Sequence, residues 1–117
     1  MILGKDAILG AQDLHFEDVA VPEWGGTVRI GSMTGAQRDA WEQSLVSQGK
    51  GQGVDISNIR ARLVAVCAVD EKGARIFTDA DAEKLGKKSA AALERCAKAA
   101  QRLNKLSSED VEEARGN

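Results

Sequence analysis

An α+β fold, predominantly helical, in a single domain with an N-terminal antiparallel β-hairpin, is predicted by three features of this 117-residue sequence. The apolar side chains are mostly small: 18 alanines stand against four aromatics, Phe16, Trp24, Trp41 and Phe77. That palette suits closely packed helices better than sheets. The β-branched residues Val19 and Val21, then Val28 and Ile30, lie two apart on either side of Pro22-Glu23-Trp24-Gly25-Gly26, as two strands around a glycine-containing turn do. Between Ser89 and Leu106, the residues Ala92, Leu93, Cys96, Ala99, Ala100, Leu103 and Leu106 recur on one helical stripe. At 12.4 kDa the chain fits one domain, and a chain of this mass hides roughly two thirds of the surface that its unfolded form exposes.

Taken in order, Asp6 to Ala11 reads as a short helix weakened by Gly10. The hairpin is predicted over 18–31, with Pro22 at a strand end because it cannot donate to a ladder. Thr34 and Gln37 form a capping-box pair, and a helix over 35–47 follows, its inward stripe drawn from Ala36 or Gln37, Ala40, Trp41, Ser44 and Leu45. The glycines of Gly49-Lys50-Gly51-Gln52-Gly53 stop it in a loop. Ile59, Leu63, Val66 and Cys67 mark an amphipathic helix over 57–68, with Arg60 and Arg62 on its wet side. A polar turn, Asp70-Glu71-Lys72-Gly73, leads to a short extended piece, Arg75-Ile76-Phe77. Thr78 with Asp81 resembles an N-cap pair and starts a helix over 79–85. Gly86 breaks it, the strongest helix follows over 89–106, and Ser107-Ser108-Glu109-Asp110 caps a last one over 108–115.

Sixteen basic and 18 acidic side chains leave a net charge of -2, so no global field draws the protein to nucleic acid or to a membrane. No apolar run approaches the roughly 18 residues that span a bilayer, and the sequence opens on no basic segment followed by an apolar one. The expectation is a protein that stays in the cytoplasm. Cys67 and Cys96, with no CxxC, read as two reduced, buried thiols.

Little points to catalysis. His15 is the one histidine, which leaves a nucleophile with hardly a base to work with. Asp79-Ala80-Asp81-Ala82-Glu83 imitates the start of a calcium loop, but Lys84 stands where the turn needs glycine and Ala90 where the bidentate glutamate belongs. These carboxylates already oppose the positive end of a helix dipole. Gly49-Lys50-Gly51 lacks the spacing of a phosphate-binding loop and follows a helix rather than a strand. No catalytic residue, cofactor or metal is therefore assigned.

Two features are candidates for binding. The segment from Lys84 to Lys105 carries seven basic residues against one acidic residue, Glu94, and Arg95, Lys98, Arg102 and Lys105 line one helix face. That face is either the solvated side of a half-buried helix or a dock for an acidic partner helix. Nucleic acid ranks third, because no aromatic is interleaved to stack on bases. The other candidate is Trp24 at the hairpin tip, which either anchors a partner or folds back on the chain's own core.

Several blocks, in order, resemble the tail assembly chaperones of long-tailed bacteriophages. They are Val19-Ala20-Val21-Pro22-Glu23-Trp24-Gly25-Gly26-Thr27-Val28-Arg29-Ile30 and Met33-Thr34-Gly35-Ala36-Gln37-Arg38-Asp39-Ala40-Trp41-Glu42, then Arg60-Ala61-Arg62-Leu63-Val64, Asp70 to Phe77, Asp81 and Lys88-Ser89-Ala90-Ala91-Ala92-Leu93. The resemblance implies a non-enzymatic chaperone that binds the tape measure protein before assembly, keeps it soluble, helps recruit tail tube subunits and is absent from the mature virion. It also allows a frameshifted longer form of the same chain, and a homo-oligomer stays open. Two readings compete with it: a structural head-tail connector or minor tail component, and a small nucleic-acid-binding regulator.

Overall fold

The computed structural model of the protein describes residues 1–46 and 58–106. Strands β1 (Phe16–Val21) and β2 (Gly26–Gly31) pair antiparallel, with Val19 opposite Val28 and Glu17 opposite Ile30. Because side chains alternate across a strand, Glu17, Val19, Val21, Val28 and Ile30 share one face. Val21 and Ile30 are fully buried, so this is the core face. On the outer face Arg29 donates to Asp18 directly opposite, at 2.8 and 3.1 Å, and the Phe16 ring lies over its cross-strand partner Gly31. The strand begins before the expected residue 18 because His15 and Ser32 prolong the pairing: Ser32 donates its N–H to the His15 carbonyl at 2.8 Å, and His15 donates to Ser32 Oγ at 3.0 Å. Between the strands Pro22–Trp24 form a 3-10 turn closed by Gly25, whose φ of 79° is a conformation that favours glycine.

A third strand, β3 (Ala68–Val69), pairs antiparallel with β2, so β2 is central in the order β1-β2-β3. Two residues issuing directly from a helix carry no strand periodicity, which is why the helix predicted over 57–68 includes Ala68.

Helix α1 (Lys5–Leu9) has no buried residue. Helix α2 (Gly35–Ser44) starts on the Thr34/Gln37 capping box, with both reciprocal bonds made, at 3.1 and 3.0 Å. Of its expected inward stripe only Trp41 and Leu45 are buried; Ala36, Ala40 and Ser44 are exposed and Gln37 is half-buried. The helix meets the body chiefly through helix α3 (Ile59–Cys67), and only the longer side chains reach it.

Helix α3 differs from the amphipathic helix expected over 57–68. Ala61, Leu63, Val64, Ala65, Val66 and Cys67 are all buried, since α2, α4, α5 and β2 surround it. A helix apolar nearly all round belongs in the core. Arg62 is half-buried and donates to the Ser44 carbonyl and hydroxyl, whereas Arg60 stays exposed and pairs with Glu94.

The segment over 79–85 begins as a 3-10 turn, Asp79–Asp81, and continues as helix α4 (Ala82–Leu85). Helix α5 (Ala90–Leu103) takes its N-cap from Ser89, whose hydroxyl accepts from the Ala92 N–H at 3.3 Å. It packs on α3 and on the core face of the hairpin, and Ala92, Ala97, Ala99 and Ala100 in the contact let the backbones approach closely. The glycine-rich loop at 49–53 and the helix expected over 108–115 lie outside the described residues.

Candidate partner-binding surface

Helix α5 places its expected cations in different circumstances. Arg95 pairs with Glu23 beside the hairpin turn, and Arg102 pairs with Glu17 on the core face of β1. Lys98 reaches Glu94 at 3.8 Å, one helical turn away. Lys105 lies past the helix end with φ 55°, exposed. Two of the four stripe residues thus tie the helix to its own sheet.

Lys105 has no ion pair among the described residues, and more unpaired positive charge lies at the other end of the segment. Lys84 and Lys88, at the α4 end of the same basic segment, are exposed and form no ion pair among the described residues. They border a groove of about 680 Å³ between the hairpin turn and α4, which is lined with Trp24, Ile76, Phe77 and Leu85 and is bordered also by Glu23 and Asp81. Trp24 and Phe77 are half-buried and pack against the core, so Trp24 both folds back and lines an open groove.

Local bonds hold this wall in place. Arg75 donates to the Ala65 carbonyl at 3.2 and 3.0 Å and to Asp79 at 3.0 Å, and Ile76 donates its N–H to the Ala68 carbonyl at 3.2 Å. Thr78 donates its N–H to Asp81 at 2.8 Å, which closes the capping box at the start of the 3-10 turn before α4. With its neighbours pinned, the Ile76 side chain stays 49% exposed.

Both rim carboxylates are already engaged. A bond from its own backbone N–H, followed by the Arg95 guanidinium, holds Glu23 below the usual carboxylate range. The Thr78 N–H and hydroxyl do the same for Asp81, with a smaller pull from Lys84.

A second apolar surface lies at the other end of β1. All of residues 1–14 are exposed, including Met1, Ile2, Leu3, Ile8, Leu9 and Leu14. Sequence reasoning singled out Trp24 but missed Ile76, Phe77 and Leu85 as its neighbours and missed this arm. The signal available for the groove was the lysine cluster around Gly86, next to a short apolar extended piece.

Nucleophile chemistry finds poor material. Burial raises the Cys67 thiol to about 12 and pushes Cys96 up as well, so both stay protonated near neutrality. His15 is exposed, and its backbone N–H and carbonyl both bond to Ser32. Among the described residues no group of three or more His, Cys, Asp or Glu side chains could hold a metal ion, and no helix is long and apolar enough to cross a membrane.

Residues 5–117 match the family model for phage tail assembly chaperones. A solved structure of the bacteriophage HK97 tail assembly chaperone is similar in fold, with a TM-score of 0.56 and 20% sequence identity, covering 84% of this chain and 94% of that one. No curated protein matches the sequence.

Proposed function

The chain belongs to the phage tail assembly chaperone family, and from that premise we propose that it binds the tape measure protein, keeps it soluble before assembly and helps recruit tail tube subunits, without enzymatic activity. It acts in the host cytoplasm and leaves before the virion is complete. A tape measure protein is a long helical rod whose apolar seams aggregate when bare, so its keeper must present apolar surface edged with charge. The observation that carries the reading is that this small domain leaves two such surfaces open, the groove at Trp24 and Ile76 and the arm over 1–14. The arm adds nothing to the chain's own core, and in the groove Ile76 stays exposed while Trp24 and Phe77 are only half-buried.

The test is light scattering of the purified tape measure protein of the same phage with and without this chain. Suppressed scattering and co-purification of the two proteins are expected. Unchanged aggregation with no co-purification overturns the reading, and so does finding the chain by mass spectrometry as a stoichiometric part of intact virions.

A further inference from the structure

We propose that the groove between the hairpin turn and α4 docks an amphipathic helical segment of the partner whose apolar stripe is bordered by carboxylates. This rests on the reading that the chain covers a partner's apolar surface, and it adds where contact is made and what chemistry the bound segment has. The groove floor is apolar, and Ile76 stands half out of it although the backbone on either side is pinned. An apolar side chain held at that exposure costs the free protein hydration free energy, which an apolar stripe laid across it recovers.

Charge then selects among such stripes. Glu23 and Asp81 face the groove already bonded, to Arg95 and to Thr78, whereas Lys84 and Lys88 have no ion pair among the described residues. A segment bordered by carboxylates gives both lysines a counter-charge. A segment bordered by lysines or arginines meets two lysines against one rim carboxylate, Asp81, that has no ion pair among the described residues, so like charge prevails. On α5, by contrast, Arg95 and Arg102 can meet an acidic partner only by giving up Glu23 and Glu17. The groove is therefore the less costly dock, and it includes Trp24.

The experiment measures binding of the full-length tape measure protein of the same phage, at low and high salt, to the wild type and to variants at exposed positions. The double variant Lys84→Glu with Lys88→Glu is expected to weaken binding about tenfold or more and to flatten its salt dependence. Ile76→Asp is expected to weaken it by about tenfold with a smaller change in salt response. Lys98→Glu on α5 is expected to stay within about twofold of the wild type. Circular dichroism checks that each variant keeps its helices. A wild type that does not bind overturns the chaperone reading and this inference together. A wild type that binds while the Lys84/Lys88 and Ile76 variants stay within about twofold of it overturns this inference alone, and so does a Lys98→Glu variant that loses as much as the double reversal.

Discussion

Helix α5 and the arm over residues 1–14 are of the same length and are opposite in how their groups are satisfied. In the 14 residues of α5, Ala92, Leu93, Cys96, Ala97, Ala99 and Ala100 are buried. Its start is capped by Ser89, and Arg95 and Arg102 are paired with the hairpin. Its end is bonded through Asn104, whose Oδ1 accepts from the Met33 N–H at 2.6 Å, whose Nδ2 donates to the Ala100 carbonyl at 2.8 Å, and whose carbonyl accepts from Arg38 at 3.0 Å. In the arm nothing is buried. The difference separates stability from binding: α5 commits its side chains to the fold, while the arm, and Ile76 in the groove, keep apolar groups that the fold leaves exposed.

Two substitutions test the α5 side of this contrast. Leu93, 5% exposed, lies within the packed face. Leu93→Ala is expected to cost about 3 kcal/mol, from lost burial and from the cavity left among neighbours that cannot collapse. Asn104→Ala strands the Met33 amide and frees the end of α5, and is expected to cost about 1–3 kcal/mol. Denaturant melts read both. A loss under about 0.5 kcal/mol for either means that its part of α5, the start for Leu93 or the end for Asn104, is not where the fold is fastened.

How much of this was readable beforehand follows from the range of each interaction. The capping box at Thr34 and Gln37, the alternation of Val19, Val21, Val28 and Ile30, and the apolar stripe of α5 are local patterns, and each lies in the element that the sequence predicts. Strand β3 is visible only against β2, since Ala68 and Val69 have no pattern of their own. The burial of α3 on all sides depends on what surrounds it. The basic stripe shows the same limit in charge: Arg95 and Glu23 are 72 residues apart, and Arg102 and Glu17 are 85 apart. A helical wheel shows four cations on one face; only the fold shows that two of them are answered from the hairpin.

The smallest expected effect is the sharpest test of the arm. Ile8 and Leu9 are 57% and 74% exposed, on a five-residue helix too short to persist by its own hydrogen bonds. Ile8→Asp with Leu9→Asp removes two large apolar groups and buries no charge, so the unfolding free energy is expected to move by less than about 0.5 kcal/mol. Hydrogen exchange supplies an independent reading. Amides of the arm are expected to exchange at near-unprotected rates, while those of α5 exchange only through larger openings. A loss above about 1 kcal/mol, or protection of the arm in the isolated monomer, means that the arm is folded onto the body and that its apolar groups are already spent. If stability holds while suppression of tape measure aggregation falls, the arm is a binding surface that the fold does not need.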